Sequence, residues 1–394
     1  MDWKKSISLV GWSRAAALLS CFVIVVGITF LNRPEHKGTA PSRVRDTSVN
    51  DVAFVNDEAC GKGHRNEYEN WSGSHHDLAM QPATPETVRG GFDNQTFSHF
   101  GVTSRFFRRD GRFFVNTEGP DGELADFELQ YTFGVEPLQQ YLAPFPGGRL
   151  QSLTIAWDTE RNEWFHLYPD EHIRHDDPLH WTGRYQNWNL MCAACHSTHV
   201  RKSYDIDTDT YETTWAEIDV GCQACHGPGA PHLEWARTAV AERPILFDTY
   251  GLTSVFSSDN ATSEIDACAP CHSRREQLTP VSSPGGPLLD NYLPARLGEG
   301  LYHPDGQILD EVYVYGSFVQ SKMHAAGVRC SDCHDSHSLD LRTEGNALCI
   351  QCHRETTVGR FPMLQPRSYD TPQHHFHDPD SAGAQCINCH MPVK

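Results

Sequence analysis

The sequence predicts a mainly α-helical chain with much irregular structure wrapped around covalently held cofactors, plus a small antiparallel β region and one N-terminal transmembrane helix. Three observations carry this expectation. Six Cys-x-x-Cys-His motifs run from Cys192 to the C-terminus, residues 100–170 alternate apolar and polar positions without a cysteine, and 15–31 is an almost unbroken apolar run.

The apolar run is broken only by Ser20 and Thr29 and follows Lys4, Lys5 and Arg14. It sits at the short end of a membrane span, about 17–25 residues. The positive flank assigns residues 1–14 to the cytoplasm and sends the rest of the chain across. No clean small-x-small cleavage site follows, so the run reads as an uncleaved anchor rather than a signal peptide. Residues 32–52, with Pro34 and Pro41, read as a linker. The expected localisation is therefore the inner membrane, single-pass, with the bulk of the chain in the periplasm or on another extracytoplasmic face.

Three further regions follow. Residues 53–99 hold an imperfect cofactor motif and a short helical stretch. Residues 100–184 are β-rich and carry no complete motif. Within them, Phe106-Phe107-Arg-Arg-Asp110-Gly111-Arg-Phe113-Phe114-Val115 reads as a hairpin about Asp-Gly. Phe127, Leu129, Tyr131 and Phe133 alternate with other residues, as do Leu153, Ile155 and Trp157, which predicts strands with one buried face. Residues 185–394 form the motif-dense region.

The chain has 14 cysteines and 23 histidines. The motifs are Cys192-Ala-Ala-Cys195-His196, Cys222-Gln-Ala-Cys225-His226, Cys268-Ala-Pro-Cys271-His272, Cys330-Ser-Asp-Cys333-His334, Cys349-Ile-Gln-Cys352-His353 and Cys386-Ile-Asn-Cys389-His390. In each, two thiols at this spacing can add to the two vinyl groups of a haem, and the next residue places an imidazole beneath the iron. Zinc sites also use paired cysteines but do not require the histidine. All six pairs being followed by His by chance has a probability on the order of 10⁻⁸. Disulfides would not give six identical spacings. The cofactor is haem c, six copies covalently attached.

A seventh candidate is Cys60-Gly-Lys-Gly63-His64, in which Gly63 stands where the second cysteine belongs. It reads either as a decayed site or as a haem held by one thioether through Cys60 and ligated by His64. Low-spin haems need a second axial ligand, usually His or Met. The candidate distal ligands are His75, His76, His232, His324, His337, His374 and His375. His337, three residues after His334, is expected to face a haem other than its neighbour's.

The net charge of −19 excludes a nucleic-acid surface, which needs a basic face. It suits steering of a basic redox partner.

The block Cys222-x-x-Cys-His-Gly-Pro-Gly, the paired sites at Cys330 and Cys349, and the terminal Cys386-x-x-Cys-His-Met-Pro392 resemble multihaem cytochromes of the cytochrome c552/c554 type. The stretch from Cys330 to His353 looks like a doubled CXXCH unit. The resemblance covers residues 55–394 or so and extends more distantly to hydroxylamine oxidoreductases and cytochrome c nitrite reductases. The family's first site is normally complete, and here it is Cys60-Gly-Lys-Gly63-His64. No Cys-x-x-Cys-Lys motif of the nitrite reductases is present.

Two functions follow. The leading one is an electron carrier between the membrane and a periplasmic or outer-membrane acceptor, with redox-protein partners, a quinol-linked donor and the N-terminal anchor. The alternative is an oxidoreductase acting on nitrite, hydroxylamine or a similar small molecule, which requires a haem with an open face. The odd site at His64 is the natural candidate for it, with His75 and His76 as proton donors.

Overall fold

A computed structural model describes residues 53–392 apart from 245–248, 255, 257–259 and 281–283. The segments expected as cytoplasmic N-terminus, anchor and linker lie outside the described residues.

Two antiparallel sheets dominate the first half. One is a four-stranded meander of β2 (Asp93–His99), β3 (Val102–Arg109), β4 (Arg112–Glu118) and β5 (Leu124–Leu129). The second has six strands: β1 (Met80–Pro82), β6 (Tyr131–Phe133), β7 (Leu138–Phe145), β8 (Arg149–Ser152), β9 (Ile155–Asp158) and β10 (Glu163–His166). Its order is β1-β6-β7-β9-β10, with β8 also on β7. The Asp-Gly hairpin forms where expected, with Arg109 paired to Arg112. Asp110 (φ 53°) and Gly111 (φ 75°) both take left-handed backbone, which matches the twist of the strands they join.

The sheets share an aromatic core. Phe92 meets Phe106, Phe113, Tyr141 and Trp164 edge-on, with ring centroids 5.0–5.8 Å apart. Such contacts bring the positive ring edge to the negative face. Tyr141 and Leu142 are neighbours in β7 and so point to opposite faces. Tyr141 joins the shared core, whereas Leu142 packs with Met80, Phe133, Trp188 and Ala193 in a second cluster. Residues 151–157 are all buried, so this stretch has two buried faces rather than the expected one.

The second cluster positions the first complete motif. Asn187 caps the helix Trp188–Met191 by accepting from Leu190 N at 3.0 Å. Trp188 and Ala193 are fully buried against the six-stranded sheet. The remaining motifs sit on short helical turns. The longest described helix, Ala261–His272, starts at the Asn260 cap and ends in its own motif.

The expected mainly α fold is therefore corrected. The described chain is a mixed structure with several antiparallel sheets and helices mostly of four to eight residues. The β region also starts earlier than expected, because Met80–Pro82 and Asp93–His99 pair into the two sheets. No helix among the described residues is long and apolar enough to cross a membrane.

Candidate haem-binding sites

Each motif is a tight turn. Cys333 N and His334 N donate to Cys330 O at 3.1 and 3.0 Å. Cys352 N and His353 N donate to Cys349 O at 3.2 and 3.0 Å. This turn brings both sulfurs and the imidazole to one side of the backbone.

Polar bonds tie neighbouring motifs together. Asp57 Oδ1 accepts from Cys222 N at 3.0 Å. The buried Glu264 accepts from Ser331 N (2.6 Å) and Ser331 Oγ (2.8 Å), which locks the helix before Cys268 to the Cys330 turn. Gln351 Nε2 donates to Asp332 O at 2.9 Å. Asn346 accepts from Cys386 N at 2.8 Å and donates to Ala384 O at 2.9 Å. Arg275 Nη2 reaches Cys195 Sγ at 3.6 Å.

These bonds bring sulfurs of different motifs side by side. The free thiols of Cys60 and Cys222 lie within 4.8 Å of each other, and Cys195 neighbours Cys271, Cys268 neighbours Cys330, and Cys349 neighbours Cys386. Cys225 lies within electrostatic range of Cys268 and Cys271, and Cys333 of Cys352. All seven motifs thus belong to one connected set, branching at the Cys268–Cys271 site.

The histidines show a second regularity. Metal–imidazole bonds of about 2 Å on opposite faces of one iron put the two ring centroids roughly 6 Å apart. Four motif histidines face a non-motif histidine at this separation. The pairs are His64 with His232 (6.0 Å), His272 with His76 (6.4 Å), His226 with His337 (6.5 Å) and His390 with His374 (6.0 Å). Burial holds the His76 and His226 imidazoles down to about 4, so both are neutral at pH 7, the form that ligates iron. His196 Nδ1 lies 3.0 Å from Ala79 O and His232 Nδ1 lies 2.8 Å from Tyr250 O. Such a bond orients the ring and leaves Nε2 for a metal.

Three motif histidines have no such partner among the described residues: His196, His334 and His353. His196 lies edge-on to Phe133 (5.2 Å), and His353 edge-on to Tyr369 (5.6 Å), which also touches His374 (5.3 Å). Of the distal candidates, His75 is exposed, His324 packs on Phe318, and His375 faces His377, so none of the three meets a motif histidine. The pairings were not legible in the sequence, because His226 and His337, or His76 and His272, are brought together only by the fold.

The donor set fits haem c. It provides paired thiols, adjacent imidazoles and opposed second imidazoles. A cavity of about 80 Å³ opens between three motifs, lined among others by Cys195, Gln223, Ala224, Pro270 and Cys271.

Comparison with known proteins agrees. Residues 159–227 match the family described as cytochrome c554 and c-prime, and residues 323–358 match the doubled CXXCH motif. No curated protein matches the chain. The fold resembles the crystal structure of the outer cell wall cytochrome OcwA, with a TM-score of 0.50 and 18% identity over 77% of this chain and 67% of that one. It also resembles the undecahaem cytochrome from the S-layer of Carboxydothermus ferrireducens, with a TM-score of 0.43 and 16% identity over 86% of this chain and 51% of that one. The fold and motifs define a multihaem c-type cytochrome that binds haem c and transfers electrons. Within that class, this chain carries a cytochrome c554-type segment followed by a doubled CXXCH segment.

The inner-membrane, single-pass placement is not borne out: no helix among the described residues is long and apolar enough to span a membrane, and the expected anchor at 15–31 lies outside them.

Proposed function

We propose that the chain is an extracytoplasmic electron conduit. Six haems are attached at the complete motifs, and electrons pass along the connected set to a protein or extracellular acceptor. The observation that carries this reading is the run of sulfur-to-sulfur neighbours linking every motif to another. Haems attached there would lie close to one another, and tunnelling falls steeply with distance. The axial ligands we assign are the motif histidines His196, His226, His272, His334, His353 and His390, with His76, His337 and His374 as second ligands to three of them. The acidic surface favours basic redox-protein partners.

The Cys268–Cys271 site joins the branches, so its removal is the decisive test. In Cys268→Ser/Cys271→Ser, protein-film voltammetry should keep most of the haem envelope. Electron delivery from a reduced basic cytochrome to a soluble acceptor should slow at least tenfold. An unchanged rate in a variant that has lost that one haem alone would overturn the conduit.

A second reading has one observation in its favour. An oxidoreductase acting on nitrite, hydroxylamine or a similar molecule needs a haem with one free face, and His196, His334 and His353 meet no second imidazole among the described residues. The odd site at His64, the natural candidate from the sequence, faces His232 and is the wrong place to look.

A further inference from the structure

The incomplete motif retains three features of the complete ones. Its turn is intact. Gly63 N and His64 N donate to Cys60 O at 3.0 and 2.9 Å, which matches the Cys330 and Cys349 turns. Its sulfur is placed as theirs are. Cys60 lies against Cys222 of the next site, with ligand atoms of Asp57, Cys60 and Cys222 all within 4.8 Å. Its histidine is opposed as three others are, with the His64 and His232 rings 6.0 Å apart and 31° from parallel.

A vestigial motif would keep none of these together. His232 comes from the helix Ala230–Arg237, far along the chain from His64, and is oriented by Tyr250 O. His64 is exposed and His232 half-buried, so the gap between them is reachable by a planar group. A Cβ built on Gly63 would approach nothing closer than Cys60 O at 3.9 Å, so no other side chain has filled the place of the lost cysteine.

We propose that Cys60, His64 and His232 hold a seventh haem, joined to the chain by one thioether and ligated on both faces. The Cys60 S–H adds across one vinyl C=C. The new S–C bond forms at one vinyl carbon and the thiol hydrogen goes to the other, so no oxidant is required. The second vinyl stays intact because Gly63 brings no thiol. This haem is the terminal member of the set beside the Cys222 site, and it is coordinatively filled. The inference deepens the conduit reading but is tested without it, since haem is counted whether or not electrons flow.

Intact mass of the denatured, fully matured holoprotein should show seven haem increments, falling to six in Cys60→Ala. The pyridine haemochrome band should lie to longer wavelength than that of a six-haem, two-thioether protein. It should move back in Gly63→Cys with the mass still at seven haems. In His232→Ala the seven covalent haems should remain, with one new high-spin ferric signal by electron paramagnetic resonance. A merely structural His232 would not produce that signal. Six increments in both the parent and Gly63→Cys would overturn the site. An unchanged spin state in a seven-haem His232→Ala would overturn the ligand.

Discussion

Single residues in this protein matter by what they meet at long range. Phe92 lies outside any strand, yet it is 1% exposed and touches four aromatic rings drawn from both sheets. Phe92→Ala should cost about 3–5 kcal/mol, the cavity cost of a buried aromatic, whereas Phe92→Leu should cost less. Urea unfolding of the holoprotein checks both. Tyr141 acts in the same core as a polar anchor. Its hydroxyl accepts from Gly90 N and donates to Gln139 Oε1, each at 2.8 Å, which satisfies a group that burial would otherwise penalise. Gln139 in turn holds Arg89 N (2.8 Å) and Thr87 O (3.0 Å), so one buried tyrosine fixes the loop that carries Phe92.

At the scale of elements, the β sheets contain titratable groups that the haem sites do not use. Burial, with the neighbouring His99, pushes His166 down to about 4. Burial, with the neighbouring His175 and opposed by Asp177, does the same to His180. Glu118 lies 3.9 Å from His180 Nε2, but with that ring neutral the contact is no ion pair at pH 7. The sign follows from linkage. Above pH 6.5 both histidines are neutral whether the chain is folded or not, and they contribute nothing to pH dependence. Between pH 6.5 and 4 the unfolded chain takes up protons that the folded one refuses, so stability falls as pH falls, by roughly 2–3 kcal/mol for each group. Denaturation at pH 7.5, 6, 5 and 4 should show this loss, and His180→Gln should flatten it. The same slope in that variant would assign the acid sensitivity to His166 or the axial histidines instead.

At the scale of the molecule, the sheets and the motif region form a platform and its cargo. The six-stranded sheet seats Trp188 and Ala193, and through them the Cys192 site. The polar bonds from Asp57, Glu264, Gln351 and Asn346 then pass from one motif to the next. Among the described residues, four motif histidines are opposed by a second imidazole and three are not, which sets the expected spin states. The oxidised holoprotein should give low-spin signals from the four opposed sites. If one of the other three is open, a high-spin signal should shift on adding nitrite or hydroxylamine and should persist in His232→Ala. An entirely low-spin spectrum removes the enzymatic reading.

The sequence by itself determined the chemistry. Two cysteines and a histidine at fixed local spacing form one turn whatever surrounds them, so the haem type was legible there, with His196, His226, His272, His334, His353 and His390 as the expected proximal ligands. The hairpin at Asp110-Gly111 was legible for the same reason, since only a short turn must take left-handed backbone. The tertiary structure alone decided the partners. His64 meets His232, and His226 meets His337, because folding closes long loops, and no local pattern encodes which loop closes on which. It also decided the balance of helix and sheet. A motif turn needs no helix around it, and strands such as Met80–Pro82 are recognisable only by the strand they pair with.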